Sequence, residues 1–368
     1  MDVYTDVYTD VCIVGAGPAG ALLGYILASQ GISTVLIERH GGLEKQFRGE
    51  HLNSDVVKIL KKYNLFDKIK ERGILAMKRV EFFYHSQRVK TISLDEEEGN
   101  VSIHFPHGNL LHVLIEESMK YKNYRILMNT VLTELIQNEV GSYVGVKAKH
   151  HDEIINIYSR CVIGADGRYS TVRKIAEIPT EIIKHGYDVL WAKIPAPSNW
   201  EATIKLALVH HKQLALFTQT GGFVQIGWNI EEGDYFNLVR QPFEPFITQL
   251  LDAFPELSQT VQQHIQSWKD FVNLRVQSCR CSTWVKEGLV IIGDAAHTMS
   301  PTGAIGVSAA LKDAEILGGV LKEACKQNDF SSIQLKKFED FRKNDIEKLQ
   351  VEQLKEEAAF EENFHVFS

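Results

Sequence analysis

Three glycine-rich stretches, far apart in the chain, have residue types and spacing that could do chemistry. They are GAGPAG (Gly15–Gly20), GADG (Gly164–Gly167) and GDAAHTMSPTGAIG (Gly293–Gly306). Glycines that end a strand and begin a helix let the backbone approach a phosphate group closely. One such stretch alone is a weak signal, but the order and spacing of all three favour a single nucleotide site.

The first stretch has the order of elements that a dinucleotide requires. An apolar run, Val11–Val14, is short enough for a buried strand, and the glycines lead into the helix-forming run Ala19–Ser29. Gly15 permits a tight turn, Gly17 lets a pyrophosphate approach, and Gly20 allows close helix packing. The helix N-terminus, which includes Ala19, offers free N–H groups and partial positive charge to the phosphates.

An acidic residue follows the next strand. The apolar run Thr34–Ile37 ends in Glu38, roughly 20 residues after the first turn, where a carboxylate usually binds a ribose hydroxyl. Glu38 and its neighbour Arg39 are therefore predicted to bind the nucleotide. The alternative is a glycine-rich turn with a surface glutamate, which the register of strand, helix and acid disfavours.

Composition favours a large enzyme. The chain has 368 residues, 44% of them hydrophobic, which is enough for two coupled domains. Its net charge of −7 argues against nucleic acid as a partner, because a phosphate-binding face carries a basic excess.

Location and metal content are predicted from the same composition. Met1–Asp10 lacks the basic and apolar regions of a signal peptide. No run of 18 apolar residues occurs, so no integral membrane segment is predicted. The five cysteines are odd in number and scattered, which is typical of reduced thiols in a cytoplasmic protein. Cys279 and Cys281 lack the spacing of a zinc knuckle, and no metal site is predicted.

The element pattern predicts an α/β fold with a second, β-rich unit. Strands at Val80–Tyr84 and Val89–Leu94 leave the nucleotide-binding fold, and the pattern from about Pro179 to Arg280 is strand-rich and aromatic. A hairpin is predicted for Gln213–Gln219 and Phe223–Ile230. We therefore expect a nucleotide-binding domain (residues 1–78, 100–178 and 281–330), a substrate domain (79–99 and 179–280) and a solvated C-terminal helical tail (331–368).

The second and third stretches resemble a known family. CVIGADGRYSTVR (Cys161–Arg173) resembles the Asp-Gly fingerprint of the aromatic hydroxylases typified by para-hydroxybenzoate hydroxylase. GLVIIGDAAHTMSPTGAIGVSAALKDAEIL (Gly288–Leu317) resembles their Gly-Asp fingerprint almost throughout. With GAGPAG, these stretches cover the chain in the family's order, and it is identified as a member of the single-component flavoprotein monooxygenases.

The resemblance implies a fold and a reaction. The fold would be a Rossmann-like FAD-binding domain of the glutathione-reductase type with an inserted β-rich substrate domain and C-terminal helices. NADPH or NADH would reduce the FAD, and O2 would form a flavin C4a-hydroperoxide that hydroxylates a small molecule. No second glycine-rich dinucleotide motif follows a downstream strand, which agrees with a family that binds its nicotinamide cofactor transiently.

The resemblance also assigns cofactor contacts. Gly15, Gly17, Gly20 and Glu38 would hold the adenosine diphosphate half of FAD, and Asp294 would bind its ribityl chain. Asp166 would lie where FAD meets the nicotinamide cofactor, oriented by Arg173; the alternative is an aspartate that caps a helix starting at Ser170. Pro301 and Gly303, the predicted catalytic residues, would lie at the isoalloxazine, with Ala304, Ile305 and Gly306 opening a helix toward its pyrimidine ring. His297 is interpreted as a packing residue.

Two cationic positions are distinctive. Family members often carry an arginine where this chain has His107, at the start of a helix, so His107 is the predicted flavin contact there. Arg48, in the loop after the second strand, is the other candidate for a contact near the ribityl or isoalloxazine region.

The substrate is expected on the sheet of the second domain. The candidate residues there are Trp191, Phe217, Gln219, Phe223, Gln225 and Trp228, with His185 and Tyr187 nearby. Alternation along strands means that only half of such a set faces inward. The run Gln213–Ile230 has no Arg, Lys or His, which favours a neutral, bulky aromatic substrate unless a cation enters from Lys193, Lys205 or His185.

Three alternatives share this architecture. They are a flavin-dependent reductase of isoprenoid chains, a halogenase, and a binding module that has lost its flavin. The halogenase is disfavoured because no Trp-x-Trp-x-Ile-Pro segment occurs, and the binding module because Glu38, Asp166 and Asp294 are intact. The pattern leaves the substrate, the choice of nicotinamide cofactor, the regiochemistry, the general base and the oligomeric state open.

Overall fold

The computed structural model describes residues 6–43, 51–84, 86–94 and 101–364. The strands are β1 (Val7–Val14), β2 (Thr34–Ile37), β3 (His51–Leu52), β4 (Leu75–Ala76), β5 (Arg79–Tyr84), β6 (Gln87–Ser93), β7 (Ile103–His104), β8 (Tyr124–Leu127), β9 (Thr130–Gln137), β10 (Tyr143–His150), β11 (Glu153–Gly164), β12 (Thr180–Pro195), β13 (Thr203–Val209), β14 (Lys212–Gln219), β15 (Phe223–Glu231), β16 (Val272–Cys281), β17 (Val285–Lys286) and β18 (Leu289–Ile291). The α-helices are α1 (Pro18–Ser29), α2 (Ser54–Lys62), α3 (Phe66–Glu71), α4 (His107–Met119), α5 (Thr171–Ile175), α6 (Tyr235–Leu238), α7 (Glu244–Ala253), α8 (Ser258–His264), α9 (Gly306–Gln327) and α10 (Ser332–Ala358).

The first sheet brings the three glycine-rich stretches to one edge. Its strand order is β17-β18-β11-β1-β2-β8, and β1 pairs in parallel with both β11 and β2. Strands buried on both faces read as continuous apolar runs, which is why Val11–Val14 and Thr34–Ile37 were recognisable as strands. Because parallel strands end at the same edge, Gly15, Gly164 and Ile292 lie close together beyond their carboxyl ends.

The second sheet is mostly antiparallel and has the order β16-β12-β15-β14-β13-β5-β6. The predicted hairpin is confirmed as β14 and β15, with Leu214 opposite Trp228. The early excursion joins this sheet through the parallel pairing of β5 with β13. A third, small sheet (β3-β7-β4) lies beside it. The division into separately folding domains stays a prediction.

The region from Pro179 to Arg280 is less uniform than its strand-rich pattern indicated. Helices α7 and α8 follow the hairpin and cover one face of the second sheet, where they form a core with Trp228 and Phe254. The opposite face of that sheet lines a cavity beside the third glycine-rich stretch.

The prediction of a solvated C-terminal tail is wrong. Helix α10 buries Leu335, Phe338 and Ile346, and it also buries glutamines whose polarity had favoured solvent. Gln350 Nε2 donates to the carbonyls of Cys279 (3.0 Å) and Thr298 (3.1 Å), so the amide satisfies buried backbone groups. A polar residue type therefore concealed a packed helix face.

A buried ionic cluster fixes α10 to α9 and to the third stretch. Asp313 accepts hydrogen bonds from Arg342 Nε (2.9 Å), His297 Nε2 (2.6 Å) and the main-chain N–H of Gly293 (2.9 Å). Burial opposes ionisation of the Asp313 carboxyl, but its interactions with His297, Arg342 and the Gly293 N–H hold its pKa below the usual value. His297 thus lies in a packed interior, beside Trp284.

The five cysteines are free, and four of them are buried. No helix among the described residues is long and apolar enough to cross a membrane.

Candidate functional site

The first glycine-rich turn packs directly on the second. Gly15 has φ = +106°, and a Cβ on it would overlap the carbonyl of Ala165. A Cβ on Gly20 would overlap the carbonyl of Gly15, whereas one on Gly17 would meet only the Ala165 carbonyl oxygen, at 3.9 Å. The backbone at Gly17 is therefore the open approach to this turn.

The N-terminus of α1 and Glu38 have the geometry expected of a dinucleotide site. Gly17 caps α1 without a side-chain hydrogen bond, so the first N–H groups of the helix face outward. Glu38 is buried and accepts hydrogen bonds from the N–H of Ala16 (2.8 Å) and of His40 (3.0 Å). Each carboxylate oxygen keeps a lone pair for a ribose hydroxyl. Arg39 is exposed, and its Nε donates to His40 Nε2 (2.9 Å).

In the second stretch, Asp166 caps a helix. Its carboxylate accepts hydrogen bonds from Ser170 Oγ (2.5 Å) and the N–H groups of Thr171 (2.6 Å) and Val172 (3.0 Å), at the start of α5. Burial raises the pKa of Asp166, although these hydrogen bonds oppose the shift. The alternative role that the sequence left open is thus present in the fold, and a nucleotide contact stays a prediction.

The resemblance implies that Arg173 orients Asp166, but the guanidinium of Arg173 makes its hydrogen bonds elsewhere. Its Nη1 donates to the carbonyl of Ala295 (2.8 Å) and its Nη2 to that of Arg168 (2.9 Å). The guanidinium therefore ties the second stretch to the third through main-chain carbonyls.

The third stretch runs from the first sheet to a large cavity. Asp294 is half-buried in a short turn after β18, and the residues 301–304 line the cavity wall. Gly303 (φ = +69°) and Ala304 (φ = +52°) adopt left-handed conformations that bend the chain before α9. Ile305 caps α9 without a side-chain hydrogen bond, so the helix from Gly306 presents open N–H groups.

The two cationic candidates differ in placement. His107 is buried at the first position of α4. Arg48 lies outside the described residues.

These features fit FAD. The open backbone at Gly17, the buried Glu38 and the half-buried Asp294 suit a pyrophosphate, a ribose and a ribityl chain in turn. The N-terminus of α9 suits the electron-rich pyrimidine ring.

The cavity has a volume of about 1590 Å³ and lies between the third stretch and the face of the second sheet opposite α7 and α8. Its walls are largely apolar and include Val80, Phe82, Val189, Trp191, Ile204, Leu206, Ala215 and Phe217. His51 also lines it, and burial, together with the nearby His104, lowers the pKa of His51 to about 3, so its ring is neutral.

Only two of the six predicted substrate residues line this cavity. They are Trp191 and Phe217, whose rings lie 6.0 Å apart between centroids. Gln219 Nε2 donates to Gln225 Oε1 and neither residue lines the cavity, while Phe223 is partly exposed under the Lys193 ammonium. Trp228 lies on the opposite sheet face, stacked on Phe246 at 3.9 Å, because strand alternation puts it out of phase with Gly227 and Asn229.

Sequence reasoning missed the C-terminal wall of the cavity. Five of the described residues form it: Glu356, Ala359, Phe360, Glu362 and Asn363. The one sequence feature that indicated a packed segment there is the pair Phe360 and Phe364, which follows a highly charged helix.

Comparisons with known proteins agree with this geometry. A family model described as an FAD binding domain matches residues 8–347. The chain is 32% identical over 330 residues to 6-methylpretetramide 4-monooxygenase of Streptomyces rimosus, covering 88% of this chain and 78% of the relative. It is 23% identical to para-nitrophenol 4-monooxygenase of a Pseudomonas species, over 84% of this chain and 77% of the relative. The probable FAD-dependent monooxygenase PqsL of Pseudomonas aeruginosa has the same fold, with a TM-score of 0.82, 16% identity and 96% coverage of both chains.

The fold and the site define a flavoprotein that uses FAD to activate oxygen. The chain belongs to the FAD binding domain family and is an FAD-dependent monooxygenase, for which NADH or NADPH is the co-substrate. Similarity to a phospholipid reductase and to a flavin-dependent brominase is weaker, so the monooxygenase interpretation stands over those alternatives.

Glu38→Gln is expected to weaken FAD binding roughly 10- to 150-fold, because it removes a charge-assisted hydrogen bond worth about 1.5 to 3 kcal/mol. The dissociation constant is measured by fluorescence quenching of FAD on titration with apoprotein. Glu139→Gln, on an exposed turn, is the matched control and should bind FAD like the wild type. Equal affinity in both variants would remove Glu38 from the site.

Phe217→Ala and Trp228→Ala are expected to act differently because the two rings lie on opposite faces of one sheet. Phe217→Ala should raise the KM for the substrate. Trp228→Ala should lower the free energy of unfolding by about 3 to 5 kcal/mol by leaving a cavity in the core. Urea unfolding and steady-state kinetics measure the two effects, and a rise in KM confined to Trp228→Ala would contradict the placement.

Proposed function

We propose that this monooxygenase hydroxylates a neutral, largely apolar aromatic compound of more than one ring. The observation that carries the proposal is the cavity of about 1590 Å³ beside Pro301 and Gly303. Ligand pockets commonly have roughly 300 to 1,000 Å³, so this one has room for an isoalloxazine ring and a multi-ring substrate together.

The distribution of charge supports a neutral substrate. Lys90 is the one lysine or arginine among the described residues that line the cavity. Its side chain is exposed, and its ammonium lies over the Phe82 ring and donates to Asn363. Lys205 pairs with Glu256 at 2.8 Å, outside the lining of the cavity. Among the described residues, a buried substrate carboxylate would therefore lack an internal cationic partner, and burial without one costs several kcal/mol.

The names of the relatives support an aromatic substrate. One acts on 6-methylpretetramide and the other on para-nitrophenol, which is a phenol. A phenol is a suitable acceptor of oxygen because its ring carbons are nucleophilic.

The roles of the residues follow from where they lie. Bound FAD would pass electrons from the nicotinamide cofactor to O2 and deliver one oxygen atom to the substrate. We infer that the first glycine turn and Glu38 hold its adenosine half and that Asp294 holds the ribityl chain. Pro301 and Gly303 border the reacting end, and Trp191 and Phe217 exclude water and hold the substrate ring against it.

We also infer a cytoplasmic enzyme. Its five free cysteines support this, because cytoplasmic proteins keep their thiols reduced.

Substrate-dependent NADPH oxidation tests the proposal. Neutral polycyclic phenols are expected to stimulate it, with about one O2 consumed and one product formed per NADPH, because the apolar walls exclude water. Two comparison substrates are tested in the same assay: para-hydroxybenzoate, a single-ring anion, and a geranylgeranyl lipid, an isoprenoid. The proposal would be overturned if the benzoate were hydroxylated in a coupled reaction while the polycyclic phenols were not substrates. It would also be overturned if the lipid were reduced without consumption of oxygen.

A further inference from the structure

The carboxylate of Glu357, on the last turn of α10, gathers four hydrogen bonds beside the cavity. Its Oε1 accepts from Ser300 Oγ (2.7 Å), Thr302 Oγ1 (2.7 Å) and Tyr187 Oη (3.1 Å). Its Oε2 lies 2.6 Å from His185 Nδ1. The cluster joins the third stretch, β12 and the C-terminal helix, so Glu357 bonds partners that are 55 to 172 residues away in the chain.

The charge state of this carboxylate follows from its neighbours. Burial opposes ionisation, but hydrogen bonds from His185, Ser300 and Thr302 outweigh it and hold the pKa of Glu357 below its usual value. Burial, foremost, raises the pKa of the Tyr187 phenol. At neutral pH Glu357 therefore only accepts hydrogen bonds, and Tyr187 keeps its single proton.

The protons of the cluster are used within it. Tyr187 Oη and Thr302 Oγ1 lie 3.0 Å apart, and each lies within hydrogen-bond distance of Glu357. Each hydroxyl has one proton, and the Glu357 carboxylate is the strongest acceptor in reach. Both protons are therefore directed into the cluster, although both side chains line the cavity. What they offer a ligand is their oxygen lone pairs.

Two further carboxylates give the same wall the same character. Glu356 and Glu362, both with exposed side chains, line the rim of the cavity from the C-terminal segment, and a Cβ on Gly303 would lie 3.8 Å from Glu356 Oε2. The amide of Asn363, next along this wall, directs one of its two N–H groups to the carbonyl of Phe360 (3.2 Å). Lys90 Nζ, which also lines the cavity, donates to Asn363 Oδ1 (3.1 Å).

We propose that the wall formed by Tyr187, Thr302, Glu356 and Glu362 selects substrates that present hydrogen-bond donors, a protonated phenol or an amide N–H, and disfavours anions. This inference rests on the proposed aromatic substrate and adds a requirement to it: the substrate hydroxyl binds in its protonated form, with its proton directed to Tyr187. Glu357 is a positioning residue, because it acts on the ligand through the hydroxyls that it orients.

Ligand binding without turnover tests the proposal. The probes are naphthol, its methyl ether and naphthoate, each titrated into the FAD-loaded enzyme while the flavin absorbance is followed. Naphthol is expected to bind roughly tenfold or more tightly than the ether, because the ether leaves the wall's acceptors unpaired. Naphthoate should bind more weakly still. Equal binding of naphthol and its ether, or tighter binding of naphthoate, would overturn the proposal.

Two variants separate this role from a structural one. Tyr187→Phe removes one cavity-facing acceptor while the other hydrogen bonds to Glu357 remain, and should reduce the preference for naphthol over the ether severalfold with unchanged FAD affinity. Glu357→Gln supplies an amide donor in place of the carboxylate, and should reduce the penalty against naphthoate. Tyr169→Phe, at an exposed tyrosine, is the control and should leave both preferences intact.

The outcomes also separate this inference from the proposed function. A naphthol preference without hydroxylation of any polycyclic phenol would leave the donor-binding wall standing and overturn the proposed reaction. Hydroxylation of polycyclic phenols without a preference for naphthol over its ether would support the proposed reaction and overturn the donor-binding wall. A loss of FAD affinity in Tyr187→Phe with the preference intact would assign the hydroxyl to the flavin and overturn the inference.

Discussion

The close backbone contact between Gly15 and Ala165 is the constraint on which the rest of the site depends. Because no side chain fits between the ends of β1 and β11, the first two glycine-rich stretches meet at one edge of the sheet. The neighbouring end of β18 brings the third stretch to the same edge, where Asp313 and Arg173 hold its turn. A cofactor that spans these three stretches must lie along this edge and end at the cavity.

The cavity in turn depends on elements from distant parts of the chain. The second sheet supplies its apolar wall, the residues 301–304 the side where we propose the cofactor, and the end of α10 its acidic wall. Glu357 and the buried glutamines of α10 fasten these parts together through hydrogen bonds to side chains and main-chain carbonyls. The same contacts that stabilise the fold therefore set the polarity of the cavity.

Local pattern predicted what is local in this protein. The strand Thr34–Ile37, the hairpin and the glycine turn were readable because periodicity and turn chemistry act over a few residues. Trp228 could not be assigned to a face, because alternation gives two faces and only the packing of α7 decides between them. The Glu357 cluster had no sequence signal, since its partners are separated by 55 to 172 residues. The polarity of Gln350 and Gln353 likewise concealed a packed helix.

The central claim is that three separate stretches form one FAD site. The most direct test of this claim is the flavin content of the purified protein. The account predicts a yellow protein from which heat or acid releases one FAD per chain into the supernatant, identified by chromatography. We infer that the first glycine turn and Glu38 hold the adenosine half of a dinucleotide, and no histidine or cysteine lies in an obvious attachment motif. Release of FMN, flavin that stays with the precipitated polypeptide, or a colourless protein that takes up no added FAD would contradict it.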